Sequence, residues 1–107
     1  MANRSEKIKE ILHDLGARFL SLNGNGSSLM TVTRVELTRD EKNATIFFTV
    51  FPDKLEKTAL EFAKRKRPEF KEFVKENSKL GRIPQMDFEI DSGEKNRQKI
   101  DNLLNHS

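Results

Sequence analysis

Lys57, Lys64, Lys71, Lys75 and Arg82 are spaced so that, on a helix turning about 100° per residue, they fall within about 40° of one another. Within this strip stands Lys64-Arg65-Lys66-Arg67, a run of four cations, and Lys79 follows further on. Side chains of this kind at this density can hold a phosphate backbone, because each one that neutralises a phosphate releases condensed counterions. The charge is also localised. Residues 54–82 carry ten Lys/Arg against five Glu, whereas the other residues carry ten against twelve acids, so the overall net of +3 hides a strongly basic segment. A basic stripe of this kind is the footprint of polyanion binding; the competing explanation is an ordinary solvated helix face.

Other chemistries have less to stand on. Asp87, Glu89 and Asp91 recur at every second residue and look superficially like metal ligands. That spacing puts them together on the wet side of a strand, where solvation accounts for them. The two histidines, His13 and His106, are far apart and have no nucleophile beside them, and there is no Cys. No set of convergent acids, bases or nucleophiles can be assembled, so neither an enzyme activity nor a cofactor is expected. Asn23-Gly24-Asn25-Gly26-Ser27-Ser28 is a loop, but no Lys-Ser/Thr follows it and a strand comes next, so it is not a phosphate loop. No apolar run approaches the roughly 20 residues of a membrane span, and Met1–Glu10 has no signal-peptide core. A cytoplasmic monomer without membrane contact is expected, and the lack of Cys suits that compartment.

The elements that must position the basic strip can be read from periodicity. Ile8, Ile11, Leu12, Leu15 and Phe19 keep helical period after a possible cap at Ser5, and Gly16 is a point where that helix could end or loosen. Leu29 to Leu37 alternates as a strand, with Met30, Val32 and Arg34 on one face and Thr31, Thr33, Val35 and Leu37 on the other. Arginine on the face of Val32 implies a bulge or an open end of the sheet. A polar turn with Asp40 bonding its own backbone leads into Ala44 to Phe51, the strongest strand, and a short connection makes the pair an antiparallel hairpin. Phe47 and Phe48 point to opposite faces, and one of them should anchor a core that needs Phe51, Phe70 and Phe73 as well. Pro52-Asp53 ends the strand, with Asp53 placed to cap the next helix.

Ala59, Phe62, Ala63, Phe70, Phe73 and Val74 then define one apolar helical face. Pro68 must break or kink it, since proline lacks the N–H and clashes with the carbonyl four residues back. Two helices are expected, with Pro68 in the first turn of the second and Arg67 pushed out of the helical region. Lys66 would fall on the buried stripe of a straight helix, so the kink must turn it outward. Gly81-Arg82-Ile83-Pro84 turns the chain into a third strand, Gln85 to Ile90, and Ile100, Leu103 and Leu104 mark a short C-terminal helix or tail over residues 93–107.

The order is α-β-β-α-(kink)-α-β over a single domain, residues 1–107. This is an α+β arrangement, with a three-stranded sheet carrying its helices on one face. It resembles a type II KH domain without the GxxG loop. At residue level the chain is similar to the ribosome-binding factor A family. Val32-Thr33-Arg34-Val35-Glu36-Leu37-Thr38-Arg39-Asp40, then Ala44 and Ile46-Phe47-Phe48-Thr49-Val50, resembles that family's hairpin. Leu80, Ile83, Pro84, Met86, Phe88, Asp91 and Ser92, followed by Ile100, Asp101, Leu103 and Leu104, resembles its closing block, and Arg4 its opening. The chain departs from the pattern at Lys66-Arg67-Pro68, where the family has Ala-x-Gly, at Glu41 in place of Leu, and at Gly81 in place of Arg.

The resemblance implies a non-catalytic bacterial assembly factor associated with growth in the cold. It would bind the free small (30S) ribosomal subunit and its 16S rRNA precursor during late maturation and rRNA processing. The residues expected to meet RNA are Lys57, Lys64, Arg65, Lys66, Arg67, Lys71, Lys75, Lys79 and Arg82, with Arg34 and Arg39 on the hairpin. With no Tyr or Trp present, stacking would fall to Phe or to an arginine plane, and little preference among short single strands is expected. The alternative is a protein-interaction module that uses a sheet edge or an apolar helix face.

Overall fold

In the computed structural model, which describes residues 3–24, 26–94 and 96, the elements follow that order. They are α1 (Arg4–Asn23), β1 (Leu29–Leu37), β2 (Asn43–Phe51), a 3-10 turn (Asp53–Leu55), α2 (Glu56–Arg65), α3 (Arg67–Asn77) and β3 (Gln85–Ile90). Of the C-terminal helix or tail expected over residues 93–107, only residues 93, 94 and 96 are described, and Ile100, Leu103 and Leu104 lie outside the described residues. The sheet runs β1-β2-β3, with β1 antiparallel and β3 parallel to the central β2. The helical segment between β2 and β3 is the crossover that a parallel pair requires.

One face of the sheet is covered. Along β2, Ala44, Ile46, Phe48 and Val50 are buried, and their alternates Thr45, Phe47 and Thr49 are half-buried. Ile8, Leu12, Leu15, Phe19 and Leu20 of α1, Ala59 and Ala63 of α2, and Phe70 and Val74 of α3 close the core above them. Phe48 is therefore the inward member of the Phe47/Phe48 pair. Phe51, expected in the core, is 72% exposed because it falls on the outer parity of β2. Gly16 neither ends nor loosens α1. It is buried against the sheet, where a Cβ would stand 3.3 Å from Ile46 Cγ2, so glycine there permits close approach of helix and strand.

The alternation of β1 breaks at a bulge between Val32 and Arg34, with Val32 opposite Phe48 and Arg34 opposite Phe47. The bulge reverses the faces, so that Met30 and Val32 and then Val35 and Leu37 turn toward the core. Arg34 is left on the open face, its guanidinium 3.9 Å from the Phe47 ring centroid.

Three expectations about local chemistry need correction. Asn3, not Ser5, caps α1 by accepting the Glu6 N–H. Ser5 instead donates to Glu41 at 2.7 Å, and Arg4 Nε donates to the same carboxylate at 3.0 Å. These contacts tie the helix to the hairpin turn and hold Glu41 at φ 61, a backbone region that costs an L-residue roughly 1–2 kcal/mol. Asp53 opens the 3-10 turn after Pro52 and does not cap α2, whose cap position is Leu55. Asp91 is buried at 5% exposure, not solvated with Asp87 and Glu89, because it lies one residue beyond β3 and turns under β1. Its carboxylate accepts from Thr33 Oγ1 at 2.6 Å, Arg34 Nε at 3.3 Å and the Glu94 N–H at 3.0 Å, so it clamps the bulge to the end of β3. Asp40 does bond locally, accepting from the Thr38 hydroxyl and the Lys42 N–H.

Burial works to raise the Asp91 carboxyl, but the Thr33 hydroxyl, the Glu94 N–H and Arg34 outweigh it and hold it below the ordinary carboxylate range. A carboxyl depressed in the folded state contributes stability that is present above its unfolded value, about 3.9, and is lost as pH falls through the folded one. Asp91→Asn should cost about 2 kcal/mol near neutral pH, because three donors lose an ionised acceptor. It should also flatten part of the acid limb of a thermal melt series below about pH 4. A variant with unchanged melting temperature at pH 7 and an unchanged acid limb would contradict the clamp.

Candidate nucleic-acid interface

The elbow between α2 and α3 is built from the proline outward. The break falls at Lys66, whose φ of −90° and ψ of 7° leave the helical region, and Arg67 is already the first residue of α3. Pro68 does not push Arg67 out of helix, because proline is tolerated in a first turn, where the N–H groups have no helical acceptor. Without a Pro68 N–H, the Lys64 carbonyl has no partner four residues on; Arg67 Nε takes that place at 2.9 Å. Lys66 donates its N–H to Phe62 and Ala63 and accepts from Phe70 N, which carries the backbone through the turn. Its side chain is only half-exposed.

The elbow is held against β3 by charge. Lys64 Nζ donates to Asp87 at 2.9 Å and to Glu89 at 2.7 Å, and Arg67 Nη1 donates to Asp87 at 3.2 Å. Burial tends to lower the Lys64 ammonium, but the Glu89 and Asp87 carboxylates outweigh it and raise it. Burial likewise works to raise Asp87, and Lys64, the Phe88 N–H and Arg67 bring it below its usual range. The wet-face carboxylates of β3 are thus partners of the basic run. That pairing spans 23 and 25 residues, and sequence spacing carries no sign of it.

Around this clamp lies an open cleft of about 740 Å³, bordered by Lys64, Arg65, Arg67 and Lys71 and floored by Ile83 and Met86. Four of the expected cations converge there, two of them already committed to Asp87. Arg65 and Lys71 are exposed and make no ion pair with another described residue. The cleft therefore offers free charge from the helices on a frame fixed by the two committed side chains. Lys57, Lys75, Lys79 and Arg82 are exposed but do not line it: Lys57 lies about two turns before Lys64 on α2, Lys75 about one turn beyond Lys71 on α3, and Lys79 and Arg82 follow the end of α3. Arg39 is exposed at the hairpin turn, and Arg34 on the open face is spoken for by Asp91 and Glu36.

With this geometry established, the comparison with known families is decisive: the model of the ribosome-binding factor A family matches residues 2–104. The chain belongs to that family. A ribosome-binding factor A from Trichlorobacter lovleyi is 33% identical over 104 residues, spanning 94% of this chain and 85% of that one. One from Flavobacterium johnsoniae is 29% identical over 108 residues, spanning 95% and 83%. The fold resembles the crystal structure of ribosome-binding factor A from Thermus thermophilus with a TM-score of 0.71 at 18% identity, covering 83% of this chain and 97% of that one. It also resembles a homology model of the Thermus factor fitted into a cryo-EM map of a 30S complex, with a TM-score of 0.65 at 20% identity, covering 74% and 86%.

At the bend between α2 and α3, Pro68 removes a backbone donor and Arg67 fills the vacancy. Pro68→Ala supplies an N–H that can compete for the Lys64 carbonyl and join α2 to α3. The new amide at position 68 should then exchange slowly with solvent deuterium, and protection across residues 64–72 should rise. If that amide exchanges at the rate of an exposed one, Lys66 and not Pro68 sets the break.

Proposed function

We propose that this member of the ribosome-binding factor A family acts as a non-catalytic assembly factor. It binds the free small ribosomal subunit and its 16S rRNA precursor during late maturation, working as a cytoplasmic monomer in one KH-like unit. The elbow cleft lies on the rRNA backbone, with Arg65 and Lys71 supplying free charge and Lys64 and Arg67 fixing its shape. The observation that carries this reading is the cleft itself, with free cations on a clamped elbow, in a member of this family. The Thermus relative fitted into a map of a 30S complex adds support. So does the absence, among the described residues, of a helix long and apolar enough to cross a membrane. Phosphate contacts of this kind position a protein on RNA and supply affinity without reading sequence.

The test is co-sedimentation with purified small subunits, large subunits and assembled ribosomes. Association with the free small subunit, lost as salt rises, is the expected result. Association with none of the three, or a small-subunit contact indifferent to salt, would overturn the reading and leave an apolar protein interface in its place.

A further inference from the structure

A second, smaller cavity lies between α2 and the loop that joins α1 to β1. Its lining is mixed: Met30, Leu55, Ala59 and Phe62 are apolar, and Ser27, Ser28 and Thr58 carry hydroxyls. Arg65 lines it as well, so one guanidinium borders both this cavity and the elbow cleft. Its volume is about 140 Å³. A cavity of roughly 150 Å³ takes up benzene, so this one holds a single six-membered ring within its walls, and a fused second ring would project through its open mouth. Gly24 keeps it open, since a Cβ there would meet Met30 Cε at 3.2 Å and the Leu20 carbonyl at 3.0 Å. No acidic residue lines it, so nothing in its walls repels a phosphodiester.

We propose that this slot receives one unstacked pyrimidine base of an RNA strand whose phosphates lie on Arg65 and along the elbow cleft. The proposal rests on the RNA reading above and adds to it a site that discriminates between bases. Phe62 and the Arg65 plane provide the faces on which a ring can stack, in a chain that has neither Tyr nor Trp. The Ser28 and Thr58 hydroxyls can both donate and accept, which suits the mixed hydrogen-bonding edge of uracil or cytosine. A purine would have to leave its second ring outside the slot. Sequence inspection could not find this slot, because its sides come from a loop, a strand and a helix that share no pattern.

The experiment compares uridylate and adenylate tetramers on the intact protein, by fluorescence anisotropy and by methyl NMR at Met30 and Ala59. The uridylate tetramer should bind about tenfold more tightly, at the low end of what stacking one base contributes, and should shift both methyl signals. Thr58→Phe, which fills the slot from an exposed helix position, should bring uridylate down to the adenylate level, whereas Thr58→Ser should keep the preference. Equal affinity of the two tetramers for the wild-type protein overturns the slot whether or not the phenylalanine variant folds. A preference that survives Thr58→Phe, or unmoved Met30 and Ala59 signals, overturns it too. If neither tetramer binds while the protein still sediments with small subunits, the slot fails and the rRNA reading stands; if both kinds of binding are absent, both fail.

Discussion

Phe48→Ala should lower the free energy of unfolding by about 3–5 kcal/mol, the range for truncating a fully buried phenylalanine. Phe48 is wholly excluded from solvent and meets Phe88 edge-on, with ring centroids 6.2 Å apart. Phe88 in turn contacts Phe70 at 5.2 Å, Phe70 contacts Phe19 at 5.1 Å, and Phe19 contacts Phe73 at 5.5 Å. These rings connect β2, β3, α3 and α1 in one chain of contacts, so a void at Phe48 cannot be closed by moving one neighbour. Domains of this size are stable by only about 5–15 kcal/mol, so the loss is a large share of the whole and should lower the melting temperature by roughly 12 °C or more. Phe47, one residue away, lies half-exposed under Arg34, and Phe47→Ala should cost no more than about 1.5 kcal/mol. Urea titration of the two variants checks the contrast. Equal costs, or a Phe48→Ala loss under about 1 kcal/mol, would contradict the assignment of the faces.

That contrast also shows where the sequence is informative. Strand parity places Phe47 and Phe48 on opposite faces, but only the helices packed above β2 decide which face is buried. Local signals carried far. The alternation from Gln85 to Ile90 gives β3 its observed limits, Arg34 on an apolar face betrays the bulge, and Pro68 marks the two-helix break. Signals failed where the determining contact is remote in the chain. Asp91 shares parity with Asp87 and Glu89, yet the strand ends before it and Thr33, 58 residues away, draws it inward. Lys64 and Arg67 read as free cations by position, and their neutralisation by β3 depends on tertiary placement alone. Gly16 reads as a helix breaker because propensity counts only the helix, whereas the approach of Ile46 is what requires it. The basic strip drawn on one continuous helix loses Lys57 and Lys75 from the cleft because both lie too far along their helices from the elbow.

The second large effect follows from which cations are free. Arg65→Glu combined with Lys71→Glu should weaken binding to the small subunit by about a hundredfold, since two phosphate contacts are lost and two repulsions are introduced. Neither side chain is ion-paired to another described residue, so the variant should melt within about 0.5 kcal/mol of the wild type. Reversal of Lys64 and Arg67 is less informative. It would set two new carboxylates against Asp87 and Glu89 and displace the elbow itself, so lost binding there could reflect lost geometry. A folded Arg65/Lys71 double variant that pellets with small subunits as well as the wild type would show the cleft to be a solvated face. The contact would then have to be sought on the hairpin, near Arg39.

The most direct measurement of the central claim is the salt dependence of small-subunit affinity for the wild type and the Arg65→Glu/Lys71→Glu variant, titrated side by side. Each phosphate contact contributes about 0.7–0.9 to the slope of log affinity against log salt. The account predicts a steep wild-type slope and a variant slope shallower by about 1.5, with the two lines converging at high salt. Parallel lines of equal slope would contradict it, because the elbow cations would then release no counterions on binding.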